Sequence, residues 1–171
     1  MKPATGLRLD LVLRRLTPFL ITAGLVLIGV LPVHIPAYGA VAPLLPLVVV
    51  YHWSLYRPEL MPAWAVFLLG LLVDALSGAP IGVNAGVFVV VRGVVESQQQ
   101  FFIGKSFVIV WFGFALVLAG ALAVSWLLVS AFHVAVIAPG ALVFQFALTL
   151  GGYPVLSWLL LRWQQAVLKQ A

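Results

Sequence analysis

Residues 43–85 read PLLPLVVVYHWSLYRPELMPAWAVFLLGLLVDALSGAPIGVNA, and this stretch decides the fold. Two almost wholly apolar runs are separated by Arg57-Pro58-Glu59, and the second ends at Ser77-Gly78-Ala79-Pro80. Proline and glycine punctuate helices, and charged side chains mark the ends of segments that lie in a membrane. The stretch therefore predicts apolar helices that follow one another through short turns.

The apolar character extends over the whole chain. Of 171 residues, 64% are apolar and 8% are charged, whereas soluble domains are about 45–50% apolar and about 25% charged. A helix that crosses a membrane needs about 20 mostly apolar residues. The composition excludes a soluble globular protein and leaves no room for a second, aqueous domain. It predicts an all-α, polytopic integral membrane protein.

Charges, prolines and glycines divide the chain into a leader, a membrane domain and a tail. The membrane domain covers residues 17–162 and forms a bundle of six transmembrane helices, at about 17–33, 41–56, 61–76, 81–95, 106–130 and 139–161. Residues 1–16 form a basic cytoplasmic leader, which either lies in the headgroup region as an interfacial helix or extends the first span. Residues 163–171 form a cytoplasmic tail.

The basic residues orient these spans. With a cytoplasmic amino terminus, all nine Lys and Arg residues fall in cytoplasmic segments, and the opposite loops, near residues 34–40, 77–82 and 131–138, contain none. Because Lys and Arg resist translocation, both termini are predicted to be cytoplasmic. The net charge of +5 is then a topology signal, with contact to membrane lipid as a secondary effect, and no nucleic-acid partner is expected. Cleavage near Ala37-Tyr38-Gly39, as in a signal peptide, would leave five spans and fits this pattern less well.

The chain offers little for catalysis or metal binding. It has no cysteine and four acidic residues, and its three histidines, His34, His52 and His133, are scattered over three segments. Metal sites and nucleophile–base pairs require such residues at characteristic spacings, which are absent. We therefore expect no enzyme activity, no metal and no cofactor.

Asp74 is the most conspicuous polar residue, because it lies deep in the third run, where an ionised carboxylate facing lipid is costly. Gly70, Asp74 and Gly78 share one helix face, and small residues let helices approach closely. Three interpretations stay open: a hydrogen-bond anchor for the turn Ser77–Gly82, a contact with a partner, and a proton or ion site. An anchor is expected to tolerate Asp74→Asn, whose amide oxygen still accepts, but not Asp74→Leu.

Residues near the ends of other runs also draw attention. Arg92 lies inside the cytoplasmic end of the fourth run, with Glu96 one turn later as a natural partner. Arg92 either snorkels to the interface or contacts lipid phosphate or a partner. Gly151-Gly152-Tyr153-Pro154 predicts a kink in the sixth run. Aromatic residues near run ends are interpreted as interface anchors, among them Tyr51, Trp53, Tyr56, Trp64 and Trp158.

The stretch 43–85 resembles the bacterial rod-shape-determining protein MreD family. In that family a proline-bearing second span ends in an aromatic, Arg-Pro turn, and the third span carries F-x-x-G-x-x-x-D-x-x-S/G-x-x-x-G. The positions here that match, and are candidates for a structural or partner-binding role, are Arg57, Pro58, Phe67, Gly70, Asp74, Ser77, Gly78, Pro80 and Gly82. Arg92 is a further candidate because of its position inside the cytoplasmic end of the fourth run.

The resemblance implies a non-catalytic inner-membrane component of the lateral cell-wall elongation complex, the elongasome. Such a component is required for rod cell shape through scaffolding or regulation of peptidoglycan synthesis. The implied partners are an MreC-like bitopic protein, an MreB-like cytoskeletal filament system, a peptidoglycan polymerase and a penicillin-binding protein. The implied fold is similar to the six-helix substrate-specific subunits of energy-coupling-factor transporters. The alternative function is therefore the substrate-binding membrane subunit of a vitamin-type, small-metabolite transporter.

Overall fold

The computed structural model describes residues 22–24, 43–133 and 140–168, with side chains described as far as residue 162 and none for His133. Its helices are α1 (Leu45–Tyr56), α2 (Ala63–Ser77), α3 (Val83–Ser97), α4 (Gln99–Phe102), α5 (Phe107–His133) and α6 (Gly140–Leu168). A 3-10 turn, Pro58–Leu60, connects α1 to α2. These ranges contain helices and no β-strand, so the all-α prediction is confirmed for them. The leader and most of the first predicted span lie outside the described residues.

Helix α1 is the core of the bundle. It is apolar around its whole circumference, which is the pattern of a helix buried on all sides, and residues 46–55 are all buried. Tyr51 and Trp53 are among them, so their interpretation as interface anchors is wrong. Tyr56, Trp64 and Trp158 remain exposed, as anchors must be.

Four helices form a closed ring of contacts, in which α1 packs against α3, α3 against α5, α5 against α6, and α6 against α1. Helix α2 packs most extensively on α3, with which it forms a helical hairpin. Short connections make consecutive long helices antiparallel, so the bundle has two ends. We call the end with residues 57–62 and 98–106 the basic end, and the end with residues 77–82 the turn end.

Two helices are long and apolar enough to cross a membrane, over Phe107–Phe132 and Gly140–Arg162. Helices α1, α2 and α3 have 12, 15 and 15 residues. At about 1.5 Å per residue they measure roughly 18 to 23 Å, less than the hydrocarbon thickness of about 30 Å. Each of the last five predicted spans overlaps one of the helices α1, α2, α3, α5 and α6. The six-span plan and the cytoplasmic termini stay predictions.

Candidate functional site: the α2–α3 hairpin

The carboxylate of Asp74 joins the two arms of the hairpin. Asp74 is 0% exposed, and both of its oxygens accept hydrogen bonds from the start of α3. Oδ2 accepts from the backbone N–H groups of Gly82 at 2.8 Å and Ala85 at 3.4 Å. Oδ1 accepts from the backbone N–H of Asn84 at 3.0 Å and from its side-chain Nδ2 at 2.9 Å. These are the contacts of a hydrogen-bond anchor for the turn.

Asp74 acts as a helix cap supplied from the preceding helix. The first backbone N–H groups of a helix have no partner within it and are usually satisfied by a side chain at the N-cap position. Here the N-cap residue is Gly82, which has no side chain. The carboxylate of α2 takes over that role, and its negative charge also interacts favourably with the positive end of the α3 dipole.

The use of both oxygens changes the expectation for Asp74→Asn. An asparagine has one acceptor oxygen, and its NH2 group would face at least one backbone N–H that Asp74 now satisfies. The expectation that Asn is tolerated assumed that a single acceptor suffices, and the geometry contradicts that assumption. Both Asp74→Asn and Asp74→Leu are now expected to weaken the hairpin, Leu the more strongly.

Gly70 lies one turn before Asp74, at a point where the backbones of α2 and α3 approach closely. A Cβ atom placed there would overlap the Cα of Ala85 and would lie 2.6 Å from its backbone nitrogen and 2.9 Å from the carbonyl carbon of Asn84. Backbone atoms cannot rotate away as a side chain can. The absence of a side chain at Gly70 is therefore what lets the carboxylate of Asp74 reach the start of α3.

Two other glycines shape the turn between the arms. Gly78 ends α2 with φ +69° and Gly82 precedes α3 with φ +101°, both in the left-handed region that favours glycine. Pro80 lies between them and its carbonyl accepts from the N–H of Val83 at 3.3 Å. Ser77, the last residue of α2, is exposed. The structure thus places Gly78, Pro80 and Gly82 in the turn, and Asp74 and Gly70 on α2 against the start of α3.

Arg92 holds the other end of the hairpin. Its Nε donates to the backbone carbonyl of Met61 at 2.8 Å, and its Nη1 lies 2.7 Å from Oε2 of Glu96. The Arg92 side chain is 15% exposed and that of Glu96 is 44% exposed, so the pair extends from the bundle toward the surface. One guanidinium therefore fixes α3 to the connection that precedes α2.

The remaining candidates lie apart from the turn. Arg57 and Pro58 belong to the connection between α1 and α2, where Arg57 forms an exposed ion pair of 3.6 Å with Glu59. An exposed pair of this kind contributes little to stability. Phe67 is 45% exposed on the outer face of α2. The ten candidates therefore form three groups: those at the turn end of the hairpin, those at or near the basic end, and the single exposed aromatic residue Phe67.

Helix α6 accepts a hydrogen bond from α5 that the sequence pattern does not reveal. Pro154 has no N–H, so the carbonyl of Leu150, four residues earlier, loses its partner within the helix. The indole Nε1 of Trp111 on α5 donates to this carbonyl at 3.2 Å. A neighbouring helix thus satisfies the group that proline frees, as polar groups within a membrane require, and α6 stays helical through Pro154.

Three further bonds attach α1 to its neighbours. The hydroxyl of Tyr51 donates to the carbonyl of Val110 at 3.0 Å, and Nε2 of Gln99 donates to the carbonyl of Leu55 at 2.9 Å. The N–H of Leu44 donates to Oγ1 of Thr149 at 3.0 Å. These three hydrogen bonds could not be predicted from the sequence, because a polar side chain in an apolar run does not indicate which distant residue it contacts.

The grooves of the described bundle are apolar. One of about 390 Å³ lies between α5 and α6 and another of about 260 Å³ between α3 and α5. Their linings are Ala119, Leu122, Ala123, Trp126, Leu142, Val143 and Phe146 for the first, and Val87, Val90, Val91, Val94, Leu116, Val117, Gly120, Ala121 and Val124 for the second. Over the described ranges, no three His, Asp or Glu residues cluster as metal ligands do. Such surfaces suit packing against lipid or helices.

Comparison with known proteins identifies the family. The sequence model of the family described as rod shape-determining protein MreD matches residues 11–163. An uncharacterized protein of Rickettsia prowazekii (strain Madrid E) is 29% identical over 86 residues, which are 50% of this chain and 48% of that protein. The chain thus spans about half the length of this relative, and no solved structure matches it. The chain belongs to the MreD family of membrane proteins, which determine rod cell shape.

Proposed function

We propose that this chain is a non-catalytic, multi-pass protein of the bacterial inner membrane that takes part in lateral cell-wall elongation. It would support rod shape by scaffolding or regulating peptidoglycan synthesis. The observation that carries the proposal is the family match over residues 11–163, which includes nearly all of the described bundle.

The contacts of the buried charges favour a structural role. Asp74 and Arg92 are the charged residues placed inside the apolar part of the hairpin, and each bonds to backbone groups of a neighbouring segment. A carboxylate or guanidinium used in this way fixes the shape of the protein rather than acting on a substrate. The shape of the hairpin is then what a partner in the elongation complex would recognise.

The alternative of a transporter subunit finds no support in the described part of the chain. A site for a small polar metabolite needs a pocket with convergent polar groups. Two grooves between the described helices are lined by apolar side chains. We therefore keep a single proposed function.

The proposed topology has six spans and cytoplasmic termini. The basic residues of the described ranges agree with it, because Arg57 and Lys105 lie in the connections of the basic end, Arg92 bonds to Met61 there, and Arg162 lies on the second half of α6. Reporter fusions after Tyr56, Gln100 and Ala171 should score as cytoplasmic, and fusions near Tyr38, Ala79 and Ala135 as periplasmic. A periplasmic carboxy terminus would contradict this topology.

The proposed partners are an MreC-like bitopic protein, an MreB-like filament system, a peptidoglycan polymerase and a penicillin-binding protein. Affinity purification of the tagged chain from detergent-solubilised membranes, followed by mass spectrometry, tests this set. Recovery of wall-elongation proteins supports the proposal. Recovery of a transporter ATPase pair instead would favour the transporter alternative.

The decisive experiment is depletion of the chain in its own host. Depleted cells should lose rod shape and become round, and added vitamins should not restore them. Expression of the wild-type chain from a second locus should restore rods and serves as the control. A depleted strain that stays rod-shaped but requires a nutrient would contradict the proposed function.

A further inference from the structure

The four basic residues of the described ranges fall into two classes. Arg57 and Arg92 are each paired with a carboxylate, of Glu59 and Glu96 respectively. Lys105 and Arg162 have no carboxylate partner within the described ranges, and instead each lies over an aromatic ring. Lys105 Nζ is 5.7 Å from the centre of the Phe101 ring, and Arg162 Cζ is 5.0 Å from that of Trp158.

These two cation–aromatic pairs belong to the basic end of the bundle. Lys105 precedes the first residue of α5, and Arg162 lies near the end of the antiparallel α6. Phe107 and Tyr153, whose rings are stacked at 6.1 Å, place the start of α5 beside the middle of α6. Both pairs therefore lie beyond this level, toward the end where the long apolar helices leave the hydrocarbon.

The aromatic rings of the two pairs are open to the surroundings. Phe101 is 59% exposed and Trp158 is 58% exposed. Exposed aromatic rings at the ends of membrane helices lie at the level of the lipid headgroups. A cation held over such a ring is placed at the depth of lipid phosphates, and it has no carboxylate to neutralise it.

We propose that Lys105 and Arg162 bind the headgroups of anionic phospholipids, and that among the four basic residues of the described ranges these two supply the preference for anionic lipid. Arg57 and Arg92 contribute little to it, because Glu59 and Glu96 cancel their charge. The proposal does not depend on a role in wall synthesis. It concerns which of the four cations at the basic end are free to attract phosphate.

The test compares phosphatidylglycerol with phosphatidylcholine of the same acyl chains. The full-length chain in detergent is incubated with an equimolar mixture, and the ratio of bound lipids is measured by native mass spectrometry. A basic residue near an anionic surface changes lipid affinity about fivefold. Wild type should favour phosphatidylglycerol, and Lys105→Gln and Arg162→Gln should each lower the ratio about fivefold.

Matched variants separate charge from fold. Lys105→Arg and Arg162→Lys keep the charge and should keep the preference. The double variant Arg57→Gln with Glu59→Gln removes an ion pair without changing net charge and should leave the ratio as in wild type. Far-UV circular dichroism should be the same for every variant, and 0.5 M salt should weaken the preference, since exposed charges are screened.

Three results would overturn the proposal. The first is a wild-type chain that binds both lipids equally. The second is a double Lys105→Gln, Arg162→Gln variant that retains the full preference, or a neutral-pair variant that loses as much of it. The third is displacement of phosphatidylglycerol by millimolar inorganic phosphate, which would indicate an anion site in place of a lipid surface.

Discussion

Replacing Asp74 by asparagine tests the capped hairpin most directly. The substitution keeps the size of the side chain and removes one acceptor and the charge. In the more favourable orientation, the amide oxygen replaces Oδ2 and keeps the bonds from Gly82 and Ala85. The NH2 group then replaces Oδ1, and the Asn84 side chain can rotate to accept from it, but the backbone N–H of Asn84 loses its acceptor.

The expected loss follows from these contacts. A buried donor left without an acceptor costs about 1–3 kcal/mol, and hydrogen bonds to a neutral amide are roughly half as strong as those to a carboxylate. Together these effects predict that Asp74→Asn lowers the free energy of unfolding by about 2–4 kcal/mol. Asp74→Leu leaves three backbone donors unpaired and should lower it further. Asn84→Ala removes only the side-chain bond to the carboxylate and should lose about 1.5–3 kcal/mol.

Unfolding of the purified chain in mixed micelles of mild detergent and SDS, followed by far-UV circular dichroism, measures these differences. The same variants should be tested for restoration of rod shape, with the amount of protein in the membrane determined in parallel. The order wild type, Asn84→Ala, Asp74→Asn, Asp74→Leu is expected in both assays. Asp74→Asn with wild-type stability would refute the two-oxygen cap. Asp74→Asn with wild-type amounts of protein but round cells would assign the carboxylate a direct role with a partner.

Three other substitutions follow from the same structure. Gly70→Ala should lower the free energy of unfolding by about 1–3 kcal/mol, because the added methyl group meets backbone that cannot yield; normal stability in SDS titration would contradict this close approach. Trp111→Phe should lose about 1–3 kcal/mol in wild type but less in a Pro154→Ala background, where the helix supplies its own N–H; a double-mutant cycle without coupling would rule out the shared carbonyl. Arg92→Gln should release the connection before α2, seen as faster cleavage after Glu59 by a glutamate-specific protease, and unchanged cleavage would show that the bond to Met61 is dispensable.

Helix positions could be predicted where the sequence carries a physical stop. Pro62 and Gly78 bound α2, and the predicted span 61–76 differs from Ala63–Ser77 by two residues at one end and one at the other. Glycine in the left-handed region and proline without an N–H act locally. Such ends need no knowledge of the rest of the fold. The carboxy-terminal ends of α5 and α6 lack a comparable proline or glycine. Both helices continue beyond the predicted spans, to His133 and Leu168.

The depth of burial of α1 and the partners of Asp74 could not be predicted. In a membrane, an apolar helix face suits lipid and protein equally well, so composition does not reveal that Tyr51 and Trp53 are in the core. The partners of the Asp74 carboxylate lie eight to eleven residues later in the chain. Their position depends on the left-handed backbone conformations of Gly78 and Gly82, which set the turn. Spacing placed Asp74 on one helix face with Gly70 and Gly78 and left an anchor, a partner contact and a proton or ion site open. The number of acceptors needed emerges only from the three-dimensional arrangement.

Most of the described tertiary hydrogen bonds of this bundle share a feature that bears on its role, and the side-chain bond from Asn84 to Asp74 is an exception. Between helices, side chains donate to or accept from backbone groups: Tyr51 to Val110, Gln99 to Leu55, Trp111 to Leu150, and Gly82 to Asp74. Apolar association gives helices little cohesion in lipid, so packing and such bonds hold them together. Because the backbone is one partner in each, the shape of the bundle depends on a few polar side chains, while the outward apolar residues are left free to meet lipid or other proteins. A substitution of one of these hydrogen-bonding side chains should therefore lower the stability of the folded protein and its amount in the membrane. A substitution on an exposed face that abolishes rod shape at normal protein levels would instead mark a contact with a partner.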